Sequence, residues 1–431
     1  MHVDTTTLNS SDPMPANAAA QGVDAPDLRW FVFILFFIFG GITSLNDIII
    51  PKLKGLFTLS YAEAMLVQSA FFGAYLILSL PAAAIVQRRG YLRTAAIGLA
   101  TMTVGCLLFV PASSLGIFAL FLLALFVLAA GITIVQVVTN PLISLLGPPA
   151  TAHSRLTFAQ AFNSLGTTIF PFVGSILILG KLKSIDPGAL DGAALAAYRT
   201  AETRTVVHTY LGLAAALIIV AAVVWLRRNR LKEDLVRENI LGSFTLLKRP
   251  RFSFGALCIF LYVGAEVAIG SLIVNYLMQA DTLGLAEQAA GKHVPFYWGG
   301  ALIGRFIGAG LLRLVSPGKL LATVAAGSIT LILISANTTG LVSGWSLLAI
   351  GLMNSIMFPT IFSLASEGLG KRAAEGSGII CMAIVGGAVI PPLTGHLADL
   401  SGLHFALVLP AACYATIAAF GLFARRPAAL A

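Results

Sequence analysis

Apolar residues fill long unbroken runs of this chain, and polar or charged residues gather in the short stretches between them. An α-helix needs about 20 apolar residues to cross the hydrocarbon core of a bilayer. Twelve runs approach that length, near 30–51, 62–86, 94–111, 117–146, 155–179, 206–226, 253–279, 295–312, 320–337, 345–366, 376–395 and 405–424. The pattern predicts an all-α membrane protein with twelve transmembrane helices. The longest connection on the arginine-rich side, 227–252, divides it into an N-terminal six-helix bundle at 30–226 and a C-terminal one at 253–424. Tails are expected at 1–29 and 425–431. The first lacks a basic segment before an apolar one, so it reads as a disordered cytoplasmic tail and not as a secretory signal.

Composition agrees with the pattern. The chain has 431 residues, of which 58% are hydrophobic and 10% charged. A soluble domain carries roughly a quarter charged residues. Cys106, Cys258, Cys381 and Cys413 all fall inside apolar runs, without the spacing of a zinc site, and read as small buried hydrophobes.

The net charge of +9 reports topology. If the connections alternate, one side receives Arg88, Arg89, Arg93, Arg155, the block from Arg227 to Arg251, Arg313, Lys319, Lys371, Arg372, Arg425 and Arg426. The other receives Lys52, Lys54, Lys181, Lys183, Arg199, Arg204 and Lys292. The richer side is expected to be cytoplasmic, with both termini there. In the connection RRNRLKEDLVREN, Arg230 and Asp234 stand four apart, as in a helix lying along anionic lipid.

The two halves echo each other. NSLGTTIFPFVGSIL (163–177) and AIVGGAVIPPLTGHL (383–397) share G-x4-P-x2-G, and NPLISLL (140–146) resembles FPTIFSL (358–364). Duplication of a six-helix unit, giving two pseudo-symmetric bundles, explains both.

Polar groups inside membrane helices are expensive, and they mark cavities and ion pathways. Asp47 shares a helical stripe with Gly40, Thr43 and Pro51. Its alternatives are a buried carboxylate or an interfacial one paired with Lys52 or Lys54. Gln136 and Asn140 share a face of the fourth span, and Gln160 and Asn163 share one in the fifth. Amides offer both donors and acceptors to hydroxyl groups, although they also bind helices together. Glu266 lies in the seventh span between Gly264 and Gly270, where glycines suit a helix that kinks or unwinds. Tyr262 stands one turn away, and Asn354 of the tenth span is a further candidate. Arg305 interrupts the eighth span within GGALIGRFIGAG and is expected to act as a gate contact with a carboxylate or carbonyls. Glu367, at a helix end, is expected to be solvated.

No protease, hydrolase, dinucleotide or P-loop motif is present, so neither an enzyme nor an ATP-driven pump is expected. No cofactor is expected beyond a coupling cation. A secondary transporter, a membrane sensor on the same scaffold, and a drug/proton antiporter remain as readings. The amide-rich cavity argues against the last, since drug sites are more apolar.

Three stretches carry a resemblance: SLNDIIIPKLKGLFTLSYAEAMLVQSAFFGAY (44–75), LGPPATAHSRLTFAQAFNSLGTTI (146–169) and FPTIFSLASEGLG (358–370). They resemble the fucose permease and glucose/galactose transporter family of the major facilitator superfamily, with the glucose/galactose or N-acetylglucosamine branch nearer. The resemblance implies cation-coupled sugar import across a bacterial inner membrane by alternating access. The sugar binds between the halves, and the proton-titrating aspartate of an Asn–Asp pair matches Asn46–Asp47. Two positions depart from fucose permease, which has a glutamate where this chain has Gln136 and a glutamine where it has Glu266. The carboxylate has changed halves, and sodium near Asp47 becomes an alternative to the proton. The expected protein is a monomeric sugar:cation symporter contacting a monosaccharide and membrane lipid, but no nucleic acid. Asp47 and Glu266 would serve coupling. Asn46, Gln136, Asn140, Gln160, Asn163, Glu266 and Asn354 would line the sugar site.

Overall fold

A computed structural model of the chain describes residues 26–57, 61–174, 192–230 and 240–425. The expected disordered tail and the Arg230–Asp234 pairing fall largely outside the described residues. So do the side chains of Asn46 and Asp47, whose backbone belongs to the first helix.

Regular structure among the described residues is helical. The first half contains α1 (Pro26–Phe57), α2 (Tyr61–Arg89), α3 (Tyr91–Leu115), α4 (Phe118–Leu145), α5 (Ala152–Gly174) and α6 (Gly192–Leu226). The second begins with α7 (Pro250–Met278), a short α8 (Glu287–Gly291), α9 (Val294–Leu311) and α10 (Pro317–Asn337). Its tenth span is broken into α11 (Gly340–Asn354) and α12 (Met357–Ser366). The eleventh consists of α13 (Ala373–Met382) and α14 (Gly386–Ser401), separated by a 3-10 turn at Ala383–Val385. The twelfth is α15 (Leu403–Ala406) followed by α16 (Val408–Phe423).

Among the described residues, ten segments are long and apolar enough to cross a membrane. The other two spans are α5 and α9. They carry the polar residues and glycines that bring the halves together, and they pack on each other across the interface. The second such contact joins α2 to α13, with α4 also meeting α13. Helices facing protein need less apolar surface than helices facing lipid.

Glycine sets the close approaches in both halves. A side chain at Gly166 of α5 would run into the Phe37 carbonyl of α1, and one at Gly386 of α14 would run into the Phe260 carbonyl of α7. Gly386 adjoins Gly387, the partner of Gly166 in the repeat. The two bundles thus close their first and fifth spans in the same way.

Proline does similar work in the fourth span of each half. A proline inside a helix cannot satisfy the carbonyl four residues earlier. Pro141 therefore leaves the Val137 carbonyl without its helical partner, and Ser377 of α13 donates to it at 2.8 Å. Pro359 leaves the Ser355 carbonyl free at the break between α11 and α12, where Arg305 Nε donates at 3.1 Å. The NPL and FPT motifs hold carbonyls open for partners on other helices.

Replacing Gly166 by valine forces α1 and α5 apart, an overpacking cost of about 1–3 kcal/mol. Gly166→Val is expected to lower the melting temperature in detergent by several degrees. Gly212→Ala, where a Cβ meets open space, leaves it unchanged. Thermal unfolding followed by size-exclusion recovery checks both.

Candidate functional site

The halves are joined at mid-bundle by Arg305, which is only 8% exposed. Gly304, beside it, lets α9 lie against Ser355 without a side chain between them. The guanidinium bonds Ser355 in its own half, and Nη1 crosses to α5, donating to the Gln160 carbonyl at 3.0 Å and to Ser164 Oγ. A buried charge is tolerated only when its donors are spent in this way. The expected gate contact is therefore made to carbonyls and a hydroxyl. Gln160 contributes its main chain to it.

Within charge range of Arg305 lies Glu266 on α7. Its side chain is half-buried. Tyr262, one turn before it, donates to Glu266 Oε1 at 2.7 Å and approaches the Asn354 carbonyl at 3.1 Å. Tyr297 donates to the Glu266 carbonyl at 3.2 Å and accepts from Asn354 Nδ2 at 2.8 Å. Asn354 is thus buried behind the tyrosines. Its Oδ1 and the nearby hydroxyl of Tyr414 are enclosed, and among the described residues neither has a partner in hydrogen-bond geometry. Helix α7 is continuous through Gly264 and Gly270, so neither unwinds it. Gly264 instead admits Ile390 and the Gly386 carbonyl, and Gly270 admits the Trp298 ring. The breaks near this site lie instead in the tenth and eleventh spans.

The N-terminal amides divide. Gln136 accepts a hydrogen bond from Tyr75 of α2 at 2.8 Å. Asn140 is fully buried beside Cys381, and among the described residues neither amide atom has a partner in hydrogen-bond geometry. Asn163 is half-buried and turned toward α1, where its Nδ2 donates to the Phe36 carbonyl at 3.4 Å. The sequence points to Tyr262 but not to Tyr75, Tyr297 and Tyr414 as members of one polar set. Aromatic residues recur throughout membrane helices, and nothing local distinguishes one that spends its hydroxyl on a polar layer.

Residues 32–384 match the Major Facilitator Superfamily. The chain belongs to that family. It is 48% identical over 390 residues to the glucose/galactose transporter of Brucella abortus, covering 90% of this chain and 92% of that protein. It is 34% identical over 403 residues to the L-fucose-proton symporter of Escherichia coli, covering 90% and 91%. The crystal structure of the superfamily transporter FucP in the outward conformation superposes with a TM-score of 0.84 and 32% identity, covering 93% of this chain and 99% of that one. The protein is a multi-pass membrane transporter and not an enzyme.

This transporter is closed at its arginine-rich end. His153 at the start of α5 contacts Ser363 at 2.6 Å and Glu367 at 3.0 Å, and Arg251 pairs with the same carboxylate. Glu367 is therefore not simply solvated, contrary to expectation. Gln87 of α2 donates to Glu375 at 2.8 Å, and Arg372 clamps the other oxygen of that carboxylate at 2.7 Å. Ser154 donates to the Ala309 carbonyl at 2.7 Å and accepts from Arg313. Among the described residues, the hydrogen bonds between the halves run from this end up to the level of Arg305 and Ser164.

Arg305→Met removes the charge-assisted bonds to α5, each about 1.5–3 kcal/mol. In a Ser154→Cys background, maleimide labelling is expected to rise at least tenfold when Arg305 is lost and to rise less with Arg305→Lys. The native thiols are buried, so background labelling is low. Equal labelling rates in all three proteins would refute the tie.

Proposed function

We propose that this transporter imports a hexose such as glucose or galactose by cation-coupled symport and alternating access. The names of its relatives support the substrate class. The observation that carries the reading is an acceptor and a donor left open on incompletely buried side chains of opposite halves, Glu266 and Gln136. Glu266 Oε2 and Gln136 Nε2 have no hydrogen-bond partner among the described residues. A neutral polyhydroxy ligand matches one acceptor and one donor offered from opposite halves.

In this reading Asp47 is the coupling carboxylate and Glu266 the second charge. Asn46, Gln136, Asn140, Gln160, Asn163, Glu266 and Asn354 form the sugar site and its immediate support. The proton is taken as the coupling ion, because the relative from Escherichia coli is a proton symporter by name. Sodium is the alternative. The arginine-rich end is cytoplasmic, both termini lie there, and the membrane is a bacterial inner membrane. Closure at that end then makes this the outward-facing state. The protein acts as a monomer.

Uptake of labelled hexoses into proteoliposomes under imposed gradients tests the proposal. Accumulation is expected with an inward proton gradient and to collapse with a protonophore. Accumulation that requires sodium instead would replace the coupling ion, and the absence of any hexose uptake would refute the function. Asp47→Asn is expected to abolish accumulation while sparing counterflow exchange, and full accumulation by that variant would remove Asp47 from the coupling role.

A further inference from the structure

The Tyr75–Gln136 bond has a direction that follows from burial. Tyr75 is 3% exposed and Gln136 is 7% exposed. A buried hydroxyl must place its proton on an acceptor or forfeit a hydrogen bond in an apolar medium. The structure gives the Tyr75 hydroxyl one side-chain partner, Gln136 Oε1, at 2.8 Å. Rotating the amide by half a turn would set Nε2 against the phenol oxygen and leave the phenol proton without an acceptor. The tyrosine therefore fixes which end of the amide is held and which end is offered.

The second half holds its amide the other way. The proton of Tyr297 goes to the Glu266 carbonyl, so its oxygen must accept from Asn354, which is held by Nδ2. A second-span tyrosine thus grips a fourth-span amide in each half, once by its oxygen and once by its nitrogen. The grip on α4 leaves a donor, Gln136 Nε2, and the grip on Asn354 leaves an acceptor, Oδ1; Tyr262, by holding Glu266 Oε1, leaves Oε2 as a further acceptor on α7. Both α4 and α7 pack on the α13 segment.

We propose that Tyr75 is a specificity-determining positioning residue. By holding Gln136 Oε1, it presents the amide N–H groups to one hydroxyl of the sugar, which accepts from them. The proposal rests on the sugar-transport reading and adds the polarity of the wall on α4. That wall rewards a ligand oxygen with a free lone pair and penalises an analogue from which that oxygen has been removed.

Tyr75→Phe keeps the ring against Phe71 and deletes only the hydroxyl. The amide is then free to turn either end outward. Transport kinetics are measured in proteoliposomes for the preferred hexose and for its series of single deoxy analogues. For the parent sugar, KM is expected to rise about tenfold with kcat within about twofold. One deoxy analogue, the one lacking the accepting hydroxyl, is expected to show the same KM in wild type and variant. Gln136→Met, which also lacks the donor, is expected to affect the same analogue series in the same way, and the double variant to be no worse than either single one. A uniform loss across all analogues with a fall in kcat marks a structural role and overturns the proposal, as does an unchanged KM. If Tyr75→Phe cannot be recovered folded, the Gln136→Met profile decides, and a profile without one insensitive analogue overturns it. Wild-type protein that moves no hexose fails the underlying function, whereas wild-type uptake with an unaltered Tyr75→Phe profile fails this inference alone.

Discussion

One guanidinium organises the centre of this molecule. Arg305 sits in the middle of a membrane bundle, where an unpaired charge would cost several kcal/mol. Its donors reach a main-chain carbonyl that Pro359 releases in its own half, and a carbonyl and a hydroxyl on α5 in the other. The need to satisfy this charge fixes three things together. The tenth span must break at Ser355, α9 must carry glycine beside the arginine, and α5 must lie close to α9. It also places a positive charge within range of Glu266, the carboxylate that faces the transport pathway in the proposed mechanism.

Because the arginine binds both halves, it links local chemistry to global conformation. In the proposed alternating access, the halves must separate at the end that is now closed. The contacts resisting that motion are polar and individually modest. They comprise the Arg305 bonds, the Ser377–Val137 bond, and the Glu367 and Glu375 clusters near the arginine-rich end. Contacts of this kind can be exchanged for others at similar energy, whereas an apolar interface of the same area would hold one state too firmly. The repeat makes the arrangement economical, since proline-freed carbonyls in both fourth spans serve as docking points.

Much of the architecture was legible in the residues. The apolar runs marked the spans, and the echoes at Gly166 and Pro141 marked the duplication. The physical reason is that lipid and close helix packing impose strong, local demands on composition. The breaks in the tenth and eleventh spans were less visible. Neither was expected from the residues: Pro359 lies just past the first, and the 3-10 turn at Ala383–Val385 follows from packing between helices distant in the chain. The polar residues of the site were recognisable by type, and their partners were not. Nothing near Gln136 in the sequence identifies Tyr75, sixty-one residues away, and nothing near Glu367 identifies His153. Asn163 and Asn354 illustrate the other limit, because an amide serving a helix contact reads the same as one facing a ligand.

In the proposed symport a neutral sugar crosses with a cation, so each turnover moves net charge. The most direct measurement is the current evoked by a rapid sugar jump on proteoliposomes adsorbed to a solid-supported membrane. A transient inward movement of positive charge is expected in the wild-type protein, driven by sugar alone and dependent on Asp47. Vesicles that take up labelled sugar yet give no sugar-evoked charge movement would contradict the proposed symport.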